Sequence, residues 1–397
     1  MADFDVVVAG AGLVGATAAL VLADLGLRVL VVEPSVPERN PGPSGFEART
    51  LALNPASRAL LEPHASWADF APHPFHAIRV WEDTGTRSIS FKAEEVGRTE
   101  LGWIVEAARA SVALWRDLDS ADGISVLVGE KIGRLEVRAD DLSLHVGADS
   151  ISARLLIGAD GAQSGIRTLL GVATQTLETP HAALAAVVGT QYDSAGVAYQ
   201  RFLEDGPVAL LPLPGGDAGG YSSVVWSQPR DEARRRLGLT DAEFALELEQ
   251  ATEGVLGAIG SVDRRVVFDL DQRVAETFHP NQRVLLLGDA ARVLHPLAGQ
   301  GVNIGLEDVA DMLGVATRHC AATDFDPGAP GIWRGYARRR RAKALLLVRL
   351  MDGFRLGYSL DDPMLRLLRN VAVQALDHSG FVKAGLIREA LGIGLSA

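Results

Sequence analysis

Residues 4–33 read FDVVVAGAGLVGATAALVLADLGLRVLVVE. The run Val6, Val7, Val8 lacks polar alternation, which marks a strand buried on both faces. We expect that strand over Phe4–Ala9, a helix from Leu13 to about Leu25 closed near Gly26, and a second buried strand over Arg28–Val32. Between the first strand and the helix stands Gly10-Ala11-Gly12-Leu13-Val14-Gly15. Gly10 permits a tight turn, Gly12 lets backbone approach a pyrophosphate, and Gly15 lets helix and strand pack closely. The helix N-terminus then offers free N–H groups and a positive dipole end to phosphates. Glu33 follows Gly15 by 18 residues, where a carboxylate can accept hydrogen bonds from ribose hydroxyls. Together these features predict a dinucleotide site. Glycines alone would fit a plain β-α-β turn, and the stretch does not choose between FAD and a nicotinamide dinucleotide.

Working outward, Pro34–Gly45 holds four prolines and two glycines and reads as a loop. Thr50–Leu61 reads as a helix. Strands are expected at Ile78–Glu82, Ser88–Phe91, Ile124–Val128, Lys131–Val137 and Ser143–Val146, with a helix from about Glu106 to Asp117 among them. Ile151–Ile157 and Arg283–Leu287 read as further buried strands. A β-rich block covers Leu184–Trp226 and a helix-rich insert Asp231–Gly257. Helix is expected after Gly301 and from Trp333 onward. Strand-rich blocks interleave with nucleotide-binding pieces, which predicts two domains that cross in sequence.

Two more stretches carry chemistry. Gly158-Ala159-Asp160-Gly161-Ala162-Gln163-Ser164-Gly165-Ile166-Arg167 follows a buried strand and precedes a short helix. By itself it also reads as an Asp/Gly turn with a helix cap. Gly288-Asp289-Ala290-Ala291-Arg292-Val293-Leu294-His295-Pro296 leads to Gly299-Gln300-Gly301-Val302-Asn303. An aspartate at a strand end can bind ribityl hydroxyls. The later stretch can open a helix whose N-terminus faces an anion, such as the charge near N1 of a reduced flavin.

The three motifs, in this order and spacing, resemble the class A flavoprotein monooxygenases, and within them the ubiquinone-biosynthesis hydroxylase family. Ala48–Asn54, Leu101–Glu106, Leu211–Leu213, Val225–Ser227 and above all Leu294–Gly301 agree with it. The resemblance spans about the whole chain. It implies FAD as cofactor, NADH or NADPH as electron donor, and hydroxylation of a phenolic ring through a flavin C4a-hydroperoxide. It implies that Glu33 holds the adenosine ribose, Arg49 lies near the pyrophosphate, and Asp160 and Gly161 serve both FAD and the nicotinamide cofactor. Asp289 would bind the ribityl chain beside Gly288, Pro296 would lie beside the flavin ring, and Gly301 to Asn303 would meet its pyrimidine side. His295, next to Pro296, is a candidate for handling a proton, against a structural hydrogen bond. Family members often carry His where Arg292 stands, Asn at Ala107 and Gln or Arg at Ser111, so Arg292 is given no catalytic duty.

The expected fold is mixed α/β (α+β): a discontinuous Rossmann-like FAD-binding domain (1–75, 107–180, 265–330) interleaved with a β-sheet substrate domain (76–106, 181–264), then C-terminal helices (331–397). With 397 residues, 48% of them hydrophobic, the chain can fill such cores. A net charge of −12 argues against nucleic acid as partner. A lone cysteine, Cys320, excludes an internal disulfide and points to a reducing, cytoplasmic compartment. Asp24 and Arg28 interrupt the apolar start, so neither a targeting segment nor a membrane span is expected. His64, His73, His76 and His181 lack ligand spacing, and no metal is expected.

Residues 334–355 hold eight basic side chains and one acidic, Asp352. They read as a solvated basic face over an apolar stripe, or as a surface docking on anionic lipid at the inner membrane or on a ubiquinone-synthesis complex. The substrate expected is a prenylated phenol or quinol. Rivals are a small soluble aromatic, a flavin-dependent reductase or halogenase, and a non-catalytic flavin-binding accessory protein.

Overall fold

The computed structural model describes residues 2–83, 88–177, 179–216, 219–294, 301–320, 325–359, 384–385, 387–388 and 391–392. The first strands are β1 (Phe4–Ala9), β2 (Val29–Glu33), β3 (Thr50–Leu53), β4 (His73–Phe75), β5 (Ala77–Glu82), β6 (Ser88–Lys92) and β7 (Gly102–Glu106). Next come β8 (Ile124–Val128), β9 (Ile132–Val137), β10 (Leu142–Val146), β11 (Asp149–Gly158), β12 (Thr174–Leu177), β13 (His181–Thr190) and β14 (Val197–Leu203). Then follow β15 (Gly206–Gly216), β16 (Gly219–Pro229), β17 (Ile259–Val262), β18 (Val266–Asp269), β19 (Gln272–Ala275), β20 (Val284–Leu286) and β21 (Arg292–Val293). The helices are α1 (Leu13–Ala23), α2 (Pro55–Leu61), α3 (Ala107–Ser120), α4 (Gly165–Leu169), α5 (Arg230–Leu237), α6 (Asp241–Ala251), α7 (Gly301–Cys320) and α8 (Arg334–Ser359).

One sheet runs β8-β2-β1-β11-β10-β9, with β20 also on β11. Strands β8, β2, β1, β11 and β20 pair in parallel. Val6 and Val8 pack with α1, α3 and α7 residues on one face. Val7 and Ala9 meet Ile166, Phe278 and Val348 on the other. Burial on both faces is why β1 reads as an unbroken apolar run.

A second sheet runs β17-β13-β16-β15-β14-β5-β6, with β18 also on β13. Leu184, Val208, Leu210 and Trp226 pack there against Phe244 and Leu248 of α6. Val187, Ala198, Ala209 and Leu211 fill the opposite face, toward Ala52 and Ile104. Neighbours Leu210 and Leu211 thus feed different cores, as a period of two requires. Each buried Val, Leu or Phe among them contributes about 1.5–3 kcal/mol. A one-residue slip of β15 would forfeit both sets, and this holds the register.

Three differences from the sequence reading stand out. Thr50–Leu61 is not one helix: Thr50–Leu53 pairs with β7, and the helix begins only at Pro55. Proline disfavours the helical region for its predecessor. Asn54 accordingly sits at φ −88°, ψ 167° and caps the helix, its side chain accepting from the Ser57 N–H. Gly102–Glu106, given no element above, is a fully buried strand between β3 and β4. The second sheet runs past residue 264, because Val266–Asp269 pairs with β13. Residues 360–383 and 393–397 of the C-terminal helical region lie outside the described residues.

Candidate cofactor groove and substrate cavity

The register aligns Val32, Ala9, Gly158 and Leu286 across β2, β1, β11 and β20. Just beyond them stand Glu33, Gly10, Asp160 and the Gly288-Asp289 pair. All three motifs therefore meet at the carboxyl ends of adjacent parallel strands, the edge where open α/β sheets bind ligands. Gly10 has φ +97°, and a Cβ there would lie 2.5 Å from the Ala159 carbonyl oxygen. A Cβ on Gly15 would strike the Gly10 carbonyl oxygen. Gly12 differs, since no protein atom lies within 4 Å of where its Cβ would be. The protein itself requires glycine at 10 and 15. At 12 the protein leaves open space beside the backbone, of a kind a pyrophosphate would fit. Glu33 Oε2 accepts from the Ala11 N–H at 2.6 Å, fixing the acid against this turn. Leu13 opens α1. Val14 packs beneath Gly288 and Gly305, and a Cβ on Gly305 would come within 2.6 Å of it.

In the second motif, Asp160 Oδ2 accepts from Ile166 N–H at 3.0 Å, and Ser164 caps α4 through Arg167 N–H. Its Oδ1 is buried without a partner among the described residues. Gly161 takes φ +80°, a conformation suited to glycine. Arg167 donates to Ala290 O at 2.9 Å and Ala162 O at 2.8 Å, tying the second motif to the third.

Asp289 keeps an exposed side chain, but protein crowds around the groove it enters. That crowding pushes its carboxyl above the usual range, opposed by Arg49 and Arg292. Behind it, fully buried Asp308 accepts from Gly288 N–H at 3.0 Å and from Arg340 Nε at 2.5 Å, and pairs with Arg292. Arg292 also donates to Ile304 O at 2.6 Å. Arg292 is thus a strut under the Gly288-Asp289 turn.

His295, Pro296, Gly299 and Gln300 lie outside the described residues. Gly301 and Val302 open α7. Asn303 Oδ1 accepts from Asn54 N–H at 3.1 Å and Ser57 Oγ at 2.7 Å, and its Nδ2 donates to Ala52 O at 2.7 Å. That side chain staples α7 to the β3–α2 corner. The first N–H groups of any helix have no partner within the helix and are free to meet an anion.

Beside this corner lies an apolar cavity of about 280 Å³. Ile78 and Val80, Ala198 and Gln200, and Ala209 and Leu211 line it from three adjacent strands, facing Leu53, Asn54 and Asn303. Ile387 and Leu391, near the chain end, are buried in the same wall. Of these residues the sequence reading named Asn303 as part of the site, but none of the wall residues from β5, β14 and β15. Their signal was alternation along β5, β14 and β15, visible only once the strands are aligned.

A phosphate-ready groove at parallel strand ends, joined to an apolar cavity under a second sheet, defines the FAD-dependent aromatic hydroxylase architecture. The fold matches p-nitrophenol 4-monooxygenase PnpA from Pseudomonas putida DLL-E4 with a TM-score of 0.76, covering 99% of both chains at 19% identity. Residues 130–316 match the FAD binding domain family model. Ubiquinone hydroxylase UbiL of Rhodospirillum rubrum is 32% identical, over 98% of this chain and 89% of that protein. The 3-demethoxyubiquinol 3-hydroxylase of Escherichia coli is 30% identical over 98% of both. The chain belongs to the ubiquinone-biosynthesis hydroxylase family of FAD-dependent monooxygenases.

Proposed function

We propose that this enzyme hydroxylates the aromatic ring of a prenylated phenol or quinol on the way to ubiquinone. The observation that carries this reading is the 280 Å³ apolar cavity abutting the start of α7. When bound, FAD would supply the hydride acceptor for NADH or NADPH and the activation of dioxygen, one oxygen atom entering the ring and the other leaving as water. The chain's residues bind and orient. Glu33 receives the adenosine ribose, Gly10, Gly12 and Gly15 admit the pyrophosphate with Arg49 nearby, and Asp289 holds the ribityl chain. Asp160 and Gly161 serve the FAD and nicotinamide side, and the α7 start from Gly301 to Asn303 takes the pyrimidine side. The resemblance implies Pro296 beside the ring and offers His295 as a candidate for handling a proton; both lie outside the described residues. The apolar walls keep water from the reacting atoms. The domain division follows: the parallel sheet with its helices holds FAD, and the second sheet holds substrate.

The same reading puts the enzyme at the inner membrane face or in a ubiquinone-synthesis complex, because a prenylated ring resides in the bilayer. Among the described residues no helix is long and apolar enough to cross a membrane. Contact through 334–355 would rely on exposed Arg334, Arg338 and Arg349, since Arg339, Arg340 and Lys343 pair with Asp311, Asp308 and Glu307.

The test is anaerobic titration of FAD-loaded protein with NADH and NADPH, with and without a short-chain prenylphenol, followed by air. Faster flavin bleaching with the phenol, then hydroxylated product, is the expected result. Flavin that stays oxidised with both donors supports the accessory-protein reading, and a saturated prenyl chain without oxygen uptake supports a reductase.

A further inference from the structure

The cavity face of the second sheet is built by alternation. Gln200 lies opposite Ala209 on β15 and Val80 on β5. Ala198, two residues back, lies opposite Ile78. All five line the cavity. Tyr199, between them, also borders the cavity, but it packs against the Phe244 core of the other face, edge-on to Trp81 at 6.4 Å. The alternation places the Gln200 carboxamide on an apolar wall. Its side chain makes no hydrogen bond with any described residue. The other two amides at the cavity are engaged: Asn54 caps α2, and Asn303 has three partners.

Gln200 is only half-buried, so solvent in the open cavity serves its amide, and a substrate that displaces this solvent must offer the amide a hydrogen bond in return. We infer that Gln200 is the substrate-orienting residue of this enzyme, its carboxamide hydrogen-bonding a free ring hydroxyl of the substrate. This rests on the phenolic-substrate reading above. A phenol O–H can donate to the amide oxygen and accept from the amide nitrogen, and a carboxamide offers both on one planar group. The surrounding Ile78, Val80, Ala209 and Leu211 supply shape and apolar contact but cannot fix the ring's rotation. One polar contact can, and it thereby selects the carbon presented for oxygen insertion.

The test uses FAD-loaded enzyme, a diprenylphenol and its methyl ether, with binding followed through the flavin absorbance. Gln200→Leu should weaken the phenol by about 10- to 100-fold and the ether by less than about threefold. FAD content should not change, and Gln200→Met should behave alike. Unchanged phenol affinity in both variants, or equal losses for phenol and ether, overturns the inference. If the parent binds the phenol without hydroxylating it while Gln200→Leu loses it, the orienting role stands and the hydroxylase reading falls. A parent that binds neither compound overturns both.

Discussion

At the residue scale, three glycines at most five residues apart stand in physically different settings. Gly12 has φ −63° and free space where a Cβ would go. Gly12→Val should therefore fold, with the apo-protein's Tm within about 3 °C of the parent, as expected when no strain or burial changes. It should fail to retain FAD after gel filtration, because the valine occupies the space of the pyrophosphate. Gly15→Val should differ, lowering the apo Tm itself through collision with the Gly10 carbonyl. Equal FAD occupancy in Gly12→Val and the parent would remove the pyrophosphate from this turn. Asp289→Ala should weaken FAD by about tenfold or more, the loss of a charged hydrogen-bond acceptor, with protein stability little changed. FAD fluorescence quenching on reconstitution measures it.

At the element scale, α7 and α8 are joined through charge. Asp308 is completely buried and is shared by Gly288 N–H, Arg292 and Arg340. Removing one partner leaves buried charge uncompensated, which costs about 3–5 kcal/mol. Asp308→Ala should lower stability by that amount in urea titration, and an effect below about 1 kcal/mol would mean the pair is hydrated. The loop between β19 and β20 carries a pH-sensitive group. Burial holds the His279 imidazole below its ordinary value, with Arg334 adding to this against the hydrogen bond to Val284 O. A depressed folded value means the unfolded chain takes up the proton first. The stability from neutral His279 is thus full above about pH 6.5 and is lost as pH falls below it. His279→Gln should be weaker at pH 7 yet lose less stability between pH 7 and 5.5. Parallel pH profiles for variant and parent would contradict this.

At the scale of the whole molecule, the two sheets make a site neither holds alone. The strand-end groove belongs to the first sheet, whereas the cavity lies between the second sheet and the β3–α2–α7 corner. Filling the cavity should separate the two. Ala209→Phe adds a ring to a space of about 280 Å³. It should leave FAD binding intact and raise KM for a prenylphenol by about tenfold or more, since a close-packed wall has no slack to absorb a ring. Unchanged KM would place the substrate elsewhere.

The sequence by itself determined the β-α-β unit, the order of the three motifs and the need for glycine at 10 and 15. These are local matters: a turn's φ, a helix start and a carbonyl five residues away are specified within one short segment. It also carried the Asn54-Pro55 start of α2, a signal outweighed in the reading by the apolar run around it. Only the tertiary structure decided that Thr50–Leu53 is a strand, because its partner, Trp103 to Glu106, lies some fifty residues on. Only it turned Arg340 from a member of a basic run into the partner of Asp308, 32 residues earlier. It likewise set Gln200 beside Val80 and Ala209 on one wall. A side chain's role in each case depends on what is packed against it, and distant partners leave no mark on the residues next to them in the chain.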